Sequence, residues 1–112
     1  MKKIIIIGGG AMGSAFTIPC LDNNNKVTIT EPYSERFIKD LSSKNKFHSA
    51  LKVKLPKKLK FRKFSKDLLK EKFDLIVIAL SLSGIDFIGK ELKNLKIKTP
   101  ILVLTKGLKY EK

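Results

Sequence analysis

The chain has 112 residues, of which 43% are hydrophobic and 30% are charged, and its formal net charge is +14. This length allows one domain with a real core and excludes a two-domain enzyme, and the composition is that of a folded protein rather than a disordered one. The four isoleucines from Ile4 to Ile7 are far too few to span a membrane, and no stretch resembles a secretory signal.

The amino-terminal segment predicts a strand, a glycine-rich turn and a helix. Ile4–Ile7 are all β-branched, and Gly8, Gly10 and Gly13 follow them in the spacing Gly-x-Gly-x-x-Gly. In this motif the first glycine allows a tight turn, the second lets a pyrophosphate approach the backbone, and the third lets the helix pack closely on the strand. The helix would direct unpaired backbone N–H groups at the phosphates. The motif predicts dinucleotide binding, and a glycine-rich turn of another α/β protein is the alternative.

The remainder of the chain alternates predicted strands and helices. Pro19 lies inside the first helix and should kink or shorten it. The predicted elements, in chain order, are strand 3–7, helix 11–21, strand 27–30, a helix over 34–41 capped by Ser34, a polar loop over 42–58, strand 59–64, a helix through residue 70 capped by Ser65, strand 73–80, helix 84–95 and strand 100–105.

Three of these strands are apolar on both faces, which indicates a parallel sheet covered by helices on both sides. The fold class that follows is α/β: a Rossmann-type doubly wound parallel sheet forming a single domain over residues 1–112. Five strands in this fold would lie in the order 3-2-1-4-5, and the ligand would lie at the carboxyl ends of strands one and four.

Glu31 is the second sign of a dinucleotide site. It lies eighteen residues after Gly13, at the carboxyl end of the second predicted strand. A carboxylate at this place can accept hydrogen bonds from the adenosine ribose hydroxyls and repels a 2′-phosphate, so it favours NAD over NADP. The alternative is an exposed turn glutamate before Pro32.

The basic charge raises the question of nucleic-acid binding. Between Lys39 and Lys72 there are 13 basic and 3 acidic residues, so most of the net charge lies in this segment. Only Arg36 and Arg62 are arginines, although base and phosphate recognition favours arginine. We therefore favour a lysine-rich solvated surface over a nucleic-acid interface, with weak, salt-sensitive attraction to polyanions.

The remaining reactive side chains suggest no chemistry of their own. Cys20, the one cysteine, lies in an apolar helical stretch, so we expect a small core residue in a reducing cytoplasm. His48, the one histidine, lies in the basic loop, and we do not expect it to be catalytic. We predict no metal site.

With these pieces in order, the chain resembles the amino-terminal domain of NAD(P)-dependent glycerol-3-phosphate dehydrogenase over its whole length. Gly8–Ala15 is similar to the family's opening Gly-x-Gly-x-x-Gly-[Thr/Ser]-Ala, and Leu55-Pro56 with Leu59-Lys60 is similar to its Leu-Pro-x-x-Ile segment. Phe73–Leu80 resembles the buried fourth strand of the family. Thr105–Leu108 resembles its Lys-Gly-[Ile/Leu] motif.

The resemblance implies a function for the whole enzyme and roles for several residues. Such enzymes interconvert dihydroxyacetone phosphate and glycerol 3-phosphate by hydride transfer with a nicotinamide cofactor, a reaction that supplies phospholipid synthesis. Lys106 would contact substrate and cofactor, since an ammonium can hold a phosphate or polarise a carbonyl. Ala11 and Met12 would line the pyrophosphate turn through their backbone. The family's helical carboxyl-terminal domain, which holds the catalytic base, is missing from this chain, and the full-length enzyme could be a homodimer.

Two departures from the family pattern leave alternatives open. Glu31-Pro32 stands where the family often has a basic residue that binds the NADP phosphate, which supports NAD. Leu80–Leu82 replaces the usual Val-Pro-Ser or Val-Pro-His, although Ser81 and Ser83 could donate hydrogen bonds there. Ketopantoate reductase and the 6-phosphogluconate dehydrogenase group open with the same glycine loop. A basic Rossmann module that binds nucleic acid or a protein partner is the alternative outside enzymes.

Overall fold

The computed structural model describes residues 2–33, 38–39, 47–48, 53–54 and 58–104. Within these ranges seven strands and three helices have defined bounds. They are β1 (Lys3–Ile7), α1 (Ala11–Asp22), β2 (Lys26–Thr30), β3 (Phe47–His48), β4 (Val53–Lys54), β5 (Lys60–Phe61), α2 (Lys66–Lys70), β6 (Leu75–Ile78), α3 (Leu82–Asn94) and β7 (Ile101–Val103).

Five of the strands form one parallel sheet in the order β5-β2-β1-β6-β7. This is the predicted Rossmann order, because β5, β6 and β7 are the third, fourth and fifth strands of the sequence prediction. The chain first adds strands on one side of β1 and then returns to add β6 on the other side. The strand order therefore reverses between β1 and β6, and the turn after β1 lies at that reversal.

The core consists of two apolar layers, one on each face of the sheet. Alternate residues of β1 point to opposite faces, as the pleat of a strand requires. Ile4 and Ile6 pack with Cys20 of α1, whereas Ile5 and Ile7 pack with residues of α2 and α3 such as Leu68 and Ile88. This two-sided burial explains why β1 is an unbroken isoleucine run.

The helix ends follow local capping rules. Ser65 caps α2 as predicted, since its Oγ accepts a hydrogen bond from the Leu68 amide at 3.1 Å. α3 begins two residues before the predicted start because Ser81 caps it, its Oγ accepting from the Gly84 amide at 3.4 Å. α1 continues through Pro19 for three more residues. No described helix is both long enough and apolar enough to cross a membrane.

Two expectations need correction. The last strand, expected to be buried on both faces, forms β7 at the edge of the sheet, where Ile101, Leu102 and Val103 are 45%, 38% and 37% exposed. An apolar run identifies a strand but not whether other elements cover it. The polar loop predicted over 42–58 contains the short antiparallel pair β3 and β4, which is too brief for any periodicity to reveal.

The helix predicted over 34–41 falls mostly outside the described residues. Ile38 and Lys39 are helical, as predicted. Its proposed cap, Ser34, lies outside the described ranges and stays a prediction.

Candidate dinucleotide-binding site

The glycine loop joins β1 to α1 at the point where the strand order reverses. Gly8 has a φ of +124°, and a Cβ there would overlap the Ala79 carbonyl at the end of β6. A Cβ on Gly13 would overlap the Gly8 carbonyl, so only glycine allows α1 to lie this close to the strand. A Cβ on Gly10 would meet no protein atom within 4 Å. The three positions therefore have the geometry that the sequence predicts for a pyrophosphate loop.

The amino terminus of α1 supplies hydrogen-bond donors to this open space. Gly10 is the N-cap residue, and no side chain caps the helix. The first hydrogen bond of the helix runs from the Ser14 amide to the Gly10 carbonyl at 2.9 Å. The amides of Ala11, Met12 and Gly13 precede it, so they have no acceptor within the helix. Three backbone donors and the positive end of the helix dipole together suit an anion such as a phosphate.

The Gly9 peptide is held from both sides by buried side chains. Its N–H donates to Glu31 Oε1 at 2.5 Å, and its carbonyl accepts from Ser14 Oγ at 3.0 Å. Ser14 is fully buried, and its own carbonyl accepts from the equally buried Thr17 hydroxyl at 2.6 Å. These contacts fix the orientation of the loop. The hydrogen bond from Ser14 to the loop was not predicted. In the sequence, the one sign of it is a serine directly after the third glycine.

Glu31 lies at the carboxyl end of β2 as predicted, but it is only 6% exposed. Its second oxygen, Oε2, accepts from the Tyr33 amide at 2.7 Å. The carboxylate therefore joins the end of β2 to the glycine loop, a role that the sequence did not predict.

Two further features belong to the same edge of the sheet. The exposed ring of Tyr33 lies against the start of α3, where a Cβ on Gly84 would come within 3.2 Å of the ring. Thr30 is fully buried, and its hydroxyl has no hydrogen-bond partner among the residues that the structure describes. Neither feature was predicted, because both depend on how distant strands and helices meet.

The structure thus brings Gly8, Gly10, Gly13 and Glu31 to one site. The backbone of Ala11 and Met12 begins α1 there. Lys106 lies outside the described residues, as does the rest of its motif. The open space at Gly10 and the donors of α1 fit the pyrophosphate of a dinucleotide.

Several solved structures have a similar fold. D-mandelate dehydrogenase with NADH is 24% identical with a TM-score of 0.61, and the match covers 97% of this chain and 33% of that chain. The putative 2-dehydropantoate 2-reductase from Enterococcus faecalis is 26% identical with a TM-score of 0.65, covering 95% and 34%. The 2-dehydropantoate 2-reductase from Methylococcus capsulatus is 19% identical with a TM-score of 0.63, covering 97% and 35%. The chain therefore spans about a third of the length of these proteins.

The family match of this chain is more specific than its structural similarities. No curated protein matches significantly. The family described as NAD-dependent glycerol-3-phosphate dehydrogenase N-terminus matches residues 3–112, nearly the whole chain. The match agrees with the parallel sheet, the glycine loop and the open helix terminus. The chain belongs to this family of oxidoreductase domains, and its cofactor is NAD.

Proposed function

We propose that this chain is the NAD(H)-binding domain of an enzyme that interconverts dihydroxyacetone phosphate and sn-glycerol 3-phosphate. The observation that best supports the proposal is the empty space at Gly10 beside the uncapped amino terminus of α1. Membership of the family supports the choice of substrate. The rest of the enzyme, including the helical domain with the catalytic base, would lie outside these 112 residues.

The loop would bind the cofactor by its backbone. The amides at the start of α1 would donate to the pyrophosphate, and Gly10 would let the phosphates approach without a steric clash. Glu31 would hold Gly9 in position and accept from the adenosine ribose. Its negative charge would oppose the 2′-phosphate of NADP, so we propose NAD(H) as the preferred cofactor.

The bound nicotinamide would supply or accept the hydride. In our proposal the Lys106 ammonium binds the substrate phosphate or the carbonyl oxygen that becomes an alkoxide, and it also contacts the cofactor. We expect its replacement by alanine in the complete enzyme to raise KM for dihydroxyacetone phosphate. An unchanged KM and kcat would remove Lys106 from the substrate site.

The test of cofactor binding is a titration of the purified chain with NADH and NADPH, followed by nicotinamide fluorescence. Gly10→Val should abolish NADH binding because its side chain would occupy the phosphate space. Gly89→Val is a matched control, since a Cβ on Gly89 of α3 also meets no atom within 4 Å. Equal NADH affinity in a folded Gly10→Val protein would refute the site. Glu31→Arg should move the preference toward NADPH, and an unchanged ratio would exclude Glu31 from ribose recognition.

A related reductase of 2-dehydropantoate is the second candidate, supported by the 26% identity and 0.65 TM-score of the Enterococcus faecalis protein. The two candidates differ in substrate chemistry, because only the first needs a phosphate-bearing substrate. Assays of the complete enzyme with both substrates would separate them. Turnover of 2-dehydropantoate without turnover of dihydroxyacetone phosphate would replace the first proposal by the second.

The full-length enzyme also has a proposed assembly and cellular location. We place the full-length enzyme in the cytoplasm as a homodimer, with no nucleic acid as partner. Light scattering of the full-length enzyme would measure its mass, and a monomer at micromolar concentration would contradict the dimer.

A further inference from the structure

A basic cavity lies at the opposite end of the sheet from the glycine loop. Its volume is about 460 Å³, and it lies at the amino ends of β1, β2 and β5. The side chains that define its chemistry are Lys3, Lys26, Lys58, Lys60, Thr28 and Phe73. Strands of five residues separate it from the dinucleotide site by about 15 Å. The cavity is therefore distinct from the site proposed above.

Among the residues that the structure describes, no acidic side chain forms an ion pair with the four lysines of the cavity. No aspartate or glutamate is among the described residues that line it, and the ion pairs of the described residues involve other cations: Arg62, Lys66, Lys70 and Lys90. The nearby Asp74 carboxylate accepts from the backbone amide of Lys3 at 2.8 Å, not from its ammonium. The cavity thus concentrates positive charge.

The strand register places these charges side by side. Lys3 of β1 lies directly opposite Lys26 of β2, and Thr28 of β2 lies opposite Lys60 of β5. Because Lys26 and Thr28 are two residues apart, all four side chains project from one face of the sheet. Lys3 and Lys26 carry like charges on neighbouring strands, so their ammonium groups repel each other. An anion between them would relieve this repulsion.

The chemistry of the cavity favours a small phosphate-bearing anion over a nucleic acid. Lys3 Nζ already lies 5.5 Å from the centroid of the Phe73 ring, so this face of the ring is covered by an ammonium rather than open to a base. Arg62, the described arginine, is engaged by Glu71 at 2.6 Å. A concave space of this volume suits one small molecule. Lysine ammonium groups and the Thr28 hydroxyl are donors that phosphate oxygens accept.

We propose that this cavity is a second ligand site, which binds a small anion bearing several phosphate charges through Lys3, Lys26, Lys58 and Lys60. The site is independent of the dinucleotide site and of the reaction proposed for the enzyme. Its occupation would stabilise the fold, because the ligand binds only where the three strands are assembled.

The test uses inorganic tripolyphosphate as the probe, titrated into the 112-residue chain at constant ionic strength and followed by backbone amide chemical shifts. One variant combines Lys26→Gln with Lys60→Gln. The control combines Lys90→Gln with Lys93→Gln on α3, which removes the same formal charge from residues that do not line the cavity. Thermal unfolding without the probe establishes that both variants fold.

We expect saturable binding with the largest shifts in β2 and β5, and an affinity at least about tenfold lower in the cavity variant than in the control. The probe should raise the Tm of the wild-type and control chains more than that of the cavity variant. An equal loss of affinity in both variants would show that the probe responds to the net charge of the chain and not to this cavity, and it would overturn the proposal. Shifts confined to residues 8–13 would also overturn it, as would tighter binding of a single-stranded RNA to the same lysines.

Discussion

Removal of the Glu31 side chain tests how the glycine loop is held. In Glu31→Ala, the buried Gly9 amide loses the acceptor at 2.5 Å and the half-buried Tyr33 amide loses the one at 2.7 Å. A hydrogen bond to a charged group contributes about 1.5–3 kcal/mol. With a full contribution at Gly9 and a reduced one at Tyr33, the free energy of unfolding should fall by about 3 kcal/mol. In a domain of this size the Tm should fall by roughly 10 °C or more.

Urea unfolding followed by circular dichroism measures this change. Glu31→Gln should lose about half as much, because its amide nitrogen cannot accept a hydrogen bond. Glu71→Ala is the control, since its partner Arg62 is exposed and a surface ion pair contributes about 0–1 kcal/mol. If the free energy of unfolding of Glu31→Ala lies within about 0.5 kcal/mol of that of the wild-type chain, the carboxylate does not hold the loop. A difference of that size is usual for surface substitutions.

Three further predictions concern packing and reactivity. Gly13→Ala should destabilise the chain because its Cβ would overlap the Gly8 carbonyl, whereas Gly10→Ala should unfold like the wild type; equal unfolding midpoints would contradict the close approach of α1. Leu69→Ala, at a position 1% exposed, should cost about 2–5 kcal/mol in urea unfolding, and a loss under about 1 kcal/mol would place Leu69 outside the core. Burial raises the pKa of the Cys20 thiol, so at pH 8 less of it is the reactive thiolate, and iodoacetamide should alkylate it more slowly than free cysteine until urea unfolds the chain. Alkylation at the free-thiol rate in the folded chain would show that Cys20 is accessible.

The exposed apolar side chains at the β7 edge of the sheet favour self-association of the chain. Ile101, Leu102 and Val103 of β7 are each more than a third exposed, and Phe87 of α3 is 43% exposed. The chain spans about a third of the length of the solved proteins that share its fold. An isolated chain with this surface should associate at high concentration, and light scattering over a concentration series would detect it.

The amino-acid sequence by itself determined the parts of this protein that depend on near neighbours. The isoleucines of β1 and the glycine spacing predicted the turn and the helix that follows it. The alternation of strands and helices, with three strands apolar on both faces, predicted the parallel sheet. These predictions succeed because strand burial, a positive φ at Gly8 and the close approach at Gly13 are set by residue types within one short segment.

Only the tertiary structure decided which distant groups meet. Glu31 joins the Gly9 amide across 22 residues of sequence, and Tyr33 lies on Gly84 of a helix that begins much later. The register of β1, β2 and β5 gathers lysines from three segments around one cavity. The same apolar composition gives buried β6 and exposed β7, because burial depends on position in the sheet. Contacts of this kind depend on strand register and on how distant elements pack, which no local pattern contains.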